Sequence, residues 1–480
     1  MKYKTFFPKN ILIDFKSNLK SALKKINKNG YGLVFITDQK KVVGTVSDGD
    51  IRRSILKKNK AIDLNKIYLK HIMNKKFFFL YDSVVSVKKI DKYSKIIPIL
   101  NKKKELQGFI KNNLNKIPIY QPLIIGNEKK YINDAIDRNW ISSSGKYVDL
   151  FEKKFKDFTG LKYVTTTTSG TSALHLAYLA IGIKPGDEVI MPAFTFGAPI
   201  NALIQLNAKP IFVDVNYSTC CINEELIEKN ISKKTKAIVL VHLYGNTCNI
   251  EKVSKIAKRF NLKVIEDCAE AIGTTYKKKH VGVFGDISTF SFFGNKTIST
   301  GEGGMVSCKN KNYLKKIKLY KNHGMNRDKN YFHVVPGLNF RMTNIQAAVG
   351  CAQMENIKNI LKKKKMISDF YSSFFYKSKF FNIVKTSIHT FNTYWLFFLA
   401  IKEDINKDKL IFFLNKKGID IRRSFYSVSE IPIYSKYINK KKYPISDILS
   451  KKGLCLPSYP DLDRNQLNRI VNLINFFCKR

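Results

Sequence analysis

Thr289-Phe-Ser-Phe-Phe-Gly-Asn-Lys-Thr297, with the glycine turn Gly301-Glu-Gly-Gly304 behind it, decides how the rest of the chain is read. An apolar, hydroxyl-bearing strand runs into Gly294, and a single lysine, Lys296, stands just past it. Its only near acidic neighbour, Glu302, lies beyond the next turn. A lysine close behind a buried strand is costly to keep charged, because desolvation disfavours the ammonium. Such a residue suits covalent use as a Schiff-base lysine. In a chain so rich in lysine, the same residue also reads as an ordinary surface cation. The stretch alone leaves both readings open.

Composition narrows the function classes. The 480 residues correspond to about three domains and ample core, and 44% hydrophobic with 25% charged residues is ordinary for a globular protein. The charge balance is not ordinary: 85 Lys and Arg against 37 Asp and Glu leave a net +48. A basic excess can point to nucleic acid, a membrane surface or anionic ligands. Here the lysines are scattered in short runs such as Lys75-Lys76, residues 277–279 and residues 362–365, amid abundant Asn, Ile, Tyr and Phe. No single stripe forms, so compositional drift accounts for the charge and neither nucleic acid nor membrane is expected as a partner. The 8 cysteines include no CxxC motif and no Cys/His cluster at ligand spacing, which reads as reduced, buried thiols and no metal centre. Residues 1–20 lack the apolar core of a signal segment, and the longest apolar run, residues 395–401, is too short to span a bilayer. A cytoplasmic location is expected.

Along the chain, residues 21–56 read as helix, strand, strand, helix. A weaker copy recurs in Ile72-Met73-Asn74, 77–80, 96–100 and 106–110. In the first copy Gly44-x-x-Ser47-x-x-Asp50 sets a hydroxyl and a carboxylate at a helix N-terminus, able to meet a phosphate and a ribose or simply to cap the helix. Lys111 and Leu114 occupy the matching positions of the second, degenerate copy. Residues 1–115 are therefore expected as one module, joined by a linker at 116–122 to a large domain at 123–365 and a small one at 366–480. From 163 to 293 strand and helix alternate, which predicts an α/β domain with a mainly parallel sheet and helices on both faces. Strands are expected at 188–191, 210–215, 237–241, 263–267 and 286–293, with helices at 171–181 and 250–260. A long helix at 343–365 leads to an α+β part with a strand at 395–401 and helices at 407–417 and 464–478.

Four elements fit one cofactor, each at the carboxyl end of a strand or the start of a helix, where open α/β sheets bind ligands. Ser169-Gly170-Thr171-Ser172 opens an apolar helix, and its free N–H groups and hydroxyls suit a phosphate, although Ser and Thr cap helices everywhere. Asp267 ends a strand and could pair with a protonated pyridine nitrogen or cap a loop. Phe196 could stack on a flat ring or belong to the core. Ser291, five residues before Lys296, offers a second phosphate donor.

These elements follow the order used by fold type I pyridoxal 5'-phosphate enzymes. Longer stretches carry the likeness further: Ile124-Ile-Gly-Asn-Glu128, Ser169-Gly-Thr-Ser-Ala-Leu-His-Leu176, Val241-His-Leu-Tyr-Gly245, Glu266-Asp-Cys-Ala-Glu-Ala271, Phe290-Ser-Phe-Phe-Gly-Asn-Lys296 and Gly337-Leu-Asn-Phe-Arg-Met-Thr-Asn344. From about residue 117 onward the chain resembles the DegT-type sugar-nucleotide aminotransferases. The resemblance implies the fold type I transferase architecture with pyridoxal phosphate as cofactor. It implies Lys296 as the Schiff-base lysine and proton shuttle, Asp267 on the pyridine nitrogen, and Glu270 near the phenolic oxygen, where relatives often carry Gln or His. Gly170, Thr171, Ser172 and Ser291 would hold the phosphate and Phe196 the ring. Asn339 would reach the phosphate of a neighbouring subunit, which implies a homodimer with shared active sites.

Within the family, Phe292-Phe-Gly-Asn-Lys-Thr297 and Glu266-Asp-Cys-Ala-Glu-Ala271 resemble the C4″-type members. That likeness implies a ping-pong transfer of an amino group from glutamate to the 4-keto carbon of a GDP-linked 4-keto-6-deoxy sugar, in polysaccharide (O-antigen) biosynthesis. UDP- or dTDP-linked keto sugars are the alternative acceptors, and a catalytically silent nucleotide sensor the alternative class. A sister class of deoxygenating dehydratases carries histidine in place of Lys296. Relatives often have histidine where this chain has Ser429, so the resemblance leaves the sugar open. The N-terminal repeat resembles a tandem pair of cystathionine-β-synthase-type (CBS) modules, which implies adenine nucleotide binding near Ser47 and Asp50.

Overall fold

The structure, a computed structural model, describes residues 11–56, 63–82, 96–111, 116–326, 328–329, 331–402, 405–438 and 442–479; Leu114 lies outside them. The chain divides into two compact units, Met1–Lys116 and Ile117–Arg480.

In the first unit the sequence repeat is a structural repeat. Leu12–Asp14 runs parallel to Leu33–Asp38, which forms a hairpin with Lys41–Ser47. Leu80–Tyr81, Ile96–Leu100 and Leu106–Lys111 repeat the same parallel-then-antiparallel order. Both hairpins shift register at equivalent places, Ile36/Thr37 and Ile99/Leu100. The short first strand was not expected, because three residues carry too little alternation to be seen. Phe35 and Val42 of one copy share a buried cluster with Ile96, Leu100 and Phe109 of the other. Ser47 and Asp50 satisfy each other: the Ser47 hydroxyl donates to Asp50 Oδ2 at 2.7 Å and accepts from the Asp50 amide at 3.3 Å. Arg53 pairs with the same carboxylate at 2.6 Å. That is a helix cap, made at the start of Asp48–Leu56.

The second unit is built on seven strands in the order Tyr163–Thr167, Gly304–Cys308, Ile287–Ser291, Lys263–Asp267, Thr235–Val241, Glu188–Pro192 and Lys209–Val213. All neighbours are parallel except Gly304–Cys308, which is antiparallel to both of its own. The central strands are near-continuous apolar runs, as buried strands of a parallel sheet must be. The helix Gly170–Ile181 is buried almost all round and packs on Ile287–Ser291 and Gly304–Cys308. Two glycines allow that approach. A Cβ on Gly170 would stand 2.8 Å from Ser291 Cβ, and one on Gly304 would stand 2.3 Å from the Ser169 carbonyl oxygen. The hydroxyl-rich turn is thereby pressed against the ends of two strands.

Three expectations need correction. Gly304 does not end a turn but opens an antiparallel strand, whose register with Thr167 and Ser291 draws the turn's far side into the sheet. The strand expected at 210–215 ends at Val213, since Asp214 turns its carboxylate to the amides of Ile445 and Ser446. The single helix expected at 343–365 is two, Asn344–Glu355 and Ile357–Phe375. The break falls at Asn356, whose side chain donates to the Ala352 carbonyl and competes with the helix's own ladder.

The rest of this unit is α+β as expected. A four-stranded antiparallel sheet, Phe381–Ile383, Phe397–Ile401, Gly453–Leu456 and Arg422–Arg423, lies among the helices Ile357–Phe375, Lys407–Lys416 and Arg464–Cys478. Among the described residues no helix is long and apolar enough to cross a membrane.

Candidate active site

Four parallel strands end on one side of the sheet, and the residues at and just past their ends wall a cavity of about 400 Å³. Asp267 ends one strand and Ser291 another, while Thr195 and Phe196 follow a third and Tyr244 a fourth. The turn Ser169-Gly170-Thr171 closes the cavity at the start of its helix. Lys296 reaches in from a tight loop. Phe292 and Thr300 are joined by a main-chain hydrogen bond, Phe293 bridges Gly301, and the Lys296 amide donates to the Phe293 carbonyl at 2.9 Å.

Lys296 Nζ stands 3.5 Å from Glu270 Oε1, with the two side chains only 13% and 4% exposed. Trp395 lays its indole 4.2 Å from the same ammonium, within cation–π range. The indole N–H donates to the Asn295 carbonyl at 2.6 Å, and the Tyr120 hydroxyl donates to the carbonyl of Lys296 itself. Tyr244, in a left-handed backbone conformation at φ 54°, stacks parallel to Trp395 and Phe425 at 6.3 and 5.8 Å. Phe196 remains 59% exposed at the cavity wall.

Two buried carboxyls face the lysine. Burial pushes Asp267 above its usual range, opposed by the Ala269 amide at 3.1 Å and by the charge of Lys296. Burial pushes Glu270 further, to about 7, against the pull of Lys296 and of the Tyr244 amide at 2.9 Å. The neighbouring Glu266 behaves in the opposite way. Burial disfavours its charge too, yet the His242 ring N–H at 2.9 Å and the amides of Gly282 and Gly285 hold its carboxyl below the usual range. His242, Glu266 and Cys268 bring three metal-ligand types within 4.8 Å, but the Glu266 oxygens are already filled by these donors and by the Phe284 amide. The trio reads as a structural network that braces the strand bearing Asp267.

The structure thus brings Gly170, Thr171, Phe196, Asp267, Glu270, Ser291 and Lys296 to one cavity. Ser172 is placed differently: its hydroxyl donates to the Ser169 carbonyl at 2.8 Å and accepts from the Ser169 amide at 3.0 Å, inside a capping box. Asn339 is exposed, with its side-chain oxygen accepting from Arg341 at 3.0 Å, and is not among the residues that wall the cavity. Ser429 is exposed as well, and its hydroxyl donates to Asp447. Sequence reasoning missed Trp395, Tyr244 and Tyr120, and gave no role to Arg422 and Arg423, which form part of the wall.

The cavity fits pyridoxal phosphate on its own chemistry. Thr195 Oγ1 and Asn295 Oδ1 are buried at its wall without a hydrogen-bond partner among the described residues, and buried polar atoms ordinarily have one. An anion-binding helix start, an aromatic ring, two acids and an amine are the complements of a phosphate, a pyridine ring, its polar substituents and an aldehyde.

Comparison with known proteins agrees. Residues 122–475 match the model of the DegT/DnrJ/EryC1/StrS aminotransferase family. The GDP-perosamine synthase of Vibrio cholerae is 43% identical over 364 residues, 75% of this chain and 99% of that protein. The GDP-perosamine synthase of Escherichia coli O157:H7 is 45% identical over 362 residues, 75% of this chain and 98% of that one. Among solved structures, Helicobacter pylori PseC, an aminotransferase of pseudoaminic acid biosynthesis, superposes with a TM-score of 0.73 at 25% identity, covering 76% of this chain and 99% of its own.

The acidity of Glu270 has a measurable consequence. Between the ordinary 4.5 and about 7, the folded protein keeps a proton that the unfolded chain has released, so stability is full below the first value and is lost as pH rises through the second. Glu270→Gln can still accept from the Tyr244 amide and escapes that loss. In chemical denaturation of the cofactor-free protein, the variant should gain on wild type by up to about 3 kcal/mol across that window. Parallel stability–pH curves for the two proteins would contradict this account.

Proposed function

Because the chain belongs to the DegT/DnrJ/EryC1/StrS aminotransferase family, we propose that Lys296 carries its cofactor and that a GDP-linked 4-keto-6-deoxy sugar is its amino acceptor. The activity itself is pyridoxal-phosphate-dependent amino transfer to a nucleotide-linked sugar. The observation that carries the assignment of Lys296 is its ammonium, held 3.5 Å from Glu270 in the cavity that also holds Asp267 and the Ser169–Thr171 turn. Pyridoxal phosphate, when bound, supplies an aldehyde that exchanges amines and a ring that takes up electron density.

The chain's own residues do the rest. The amides of Gly170 and Thr171 and the hydroxyls of Thr171 and Ser291 bind the phosphate end, and Ser172 holds that turn in shape through its capping box. Asp267, at a strand end beneath the cavity, holds a proton on the pyridine nitrogen. Phe196 covers one face of the ring. Glu270, poised near neutrality by burial, would share a proton with the phenolic oxygen and with Lys296, and Lys296 Nζ would be the base that takes up and returns the proton of the donor's α-carbon. Glutamate is the proposed donor in the first of two half-reactions.

The choice of acceptor is supported by the relatives named GDP-perosamine synthase. Arg422 and Arg423 at the cavity wall suit the diphosphate that links nucleotide to sugar. Purified enzyme, assayed with glutamate against GDP-, UDP- and dTDP-linked 4-keto sugars, should turn over the GDP substrate with a kcat/KM at least about tenfold above the others. Faster turnover of a UDP- or dTDP-linked sugar would overturn the choice of nucleotide and leave the reaction class standing.

Two further readings complete the proposal. A second copy of the chain completes each site with Asn339, which the fold leaves exposed in the same segment as the exposed Tyr331, Phe332 and Leu338. Sedimentation that finds monomer alone at assay concentrations would refute this homodimer. The N-terminal repeat is a CBS-type pair, a reading supported by its duplicated strand order and paired register shifts. An adenine nucleotide binding there would take the Asp50 carboxylate as its ribose ligand, so Asp50→Ala should weaken calorimetrically measured AMP or ATP binding. Heats indistinguishable from dilution with the wild-type chain would reduce the module to a scaffold.

A further inference from the structure

Lys364 belongs to a run of four lysines, residues 362–365, yet it is 1% exposed and sits among the largest fully buried side chains. An ammonium has three donors and no acceptor. Lys364 Nζ donates to the carbonyl of Trp395 at 3.1 Å and to that of Ser458 at 2.9 Å, and it lies 5.4 Å from the centre of the Tyr120 ring. Burial pushes its ammonium down to about 7. A methionine would fill the same space without the cost of burying a cation.

Two of these partners, Trp395 and Tyr120, meet at Lys296. The Trp395 indole lies over the Lys296 ammonium and is tied to the carbonyl of Asn295, the residue before it. The Tyr120 hydroxyl holds the Lys296 carbonyl from below. Ser458 closes the same node, because its hydroxyl accepts from the Phe397 amide at 2.9 Å and its amide donates to the Ile119 carbonyl at 3.2 Å. One buried nitrogen therefore ties the helix Ile357–Phe375 to the segments on either side of the reactive loop.

We propose that Lys364 is a positioning residue for Lys296: by gripping the main chain of Trp395 and seating the ring of Tyr120, it fixes the two side chains that hold Lys296 in the cavity. It touches neither cofactor nor substrate. The inference rests on Lys296 being the reactive lysine, and its test separates the two claims.

The chain has 2 tryptophans, so a full-length Trp140→Phe background leaves Trp395 as the sole emitter. In the cofactor-free protein, Lys364→Met should shift Trp395 emission to longer wavelength as the indole loosens. In the holoenzyme it should lower kcat by about tenfold or more while KM for both substrates stays within about twofold. Trp395→Leu should cost a similar factor, and the double variant should fall little below the worse single one, since both act through one contact. Losses that multiply, or a lower melting temperature with unchanged emission and kcat, would overturn the proposal. If Lys364→Met does not fold, Lys364→Gln, which keeps a donor for one carbonyl, takes its place; full kcat and native emission in that variant would count equally against it. An inactive wild-type enzyme would fail the Lys296 assignment instead, because the emission comparison needs no cofactor.

Discussion

The approach of Lys296 to Glu270 inside the cavity is the interaction on which the rest of the site depends. At 3.5 Å the attraction amounts to about 5 kcal/mol at an effective dielectric of about 20. Removing both groups from water costs several kcal/mol per ion, so the pair does not stabilise the fold. Its consequence is chemical. A carboxyl near neutrality beside an amine, with Asp267 behind them, makes a site where protons move at little cost. The same lysine on the protein surface would be a solvated cation with no such neighbours.

Keeping that pair in place takes most of the second unit. The strand ends fix Asp267 and Ser291 relative to each other through parallel register, Asp267 opposite Thr289. Gly170 and Gly304 let the turn Ser169–Thr171 touch those ends. The loop from Phe292 to Thr300 is closed by its own main-chain bonds, which leaves Lys296 little freedom beyond its side chain. Three parallel aromatic rings, Tyr244, Phe425 and Trp395, then form an apolar wall that lowers the dielectric around the ammonium. Glu266 and His242 brace the Asp267 strand from the buried side.

Much of this was legible in the sequence because it is local. A strand that ends in Asp267, a strand that ends before Lys296 and a helix that opens with Ser169-Gly170-Thr171 are each set by a few adjacent residues, and a parallel sheet places all such ends on one side. What could not be read depends on distance along the chain. Trp395 lies about a hundred residues from Lys296 and reads locally as part of an apolar strand. Lys364 looks like any member of its lysine run, and only the course of its helix turns it inward. Ser172 shows the converse: its type suits a phosphate, but the three-residue spacing from Ser169 suits a capping box equally, and the cap prevails. The break at Asn356 was invisible for the same reason, since asparagine in a helical pattern shows its competing hydrogen bond only once its neighbours are placed.

The central claim is that one lysine among the chain's many is joined to the cofactor, and reductive trapping tests it directly. Holoenzyme treated with borohydride, digested and mapped by mass spectrometry should carry the reduced cofactor on Lys296 alone. Lys364 is the internal control, being more deeply buried and spent on two carbonyls and a ring. A label on Lys364 or on any other lysine, with Lys296 unmodified, would contradict the account.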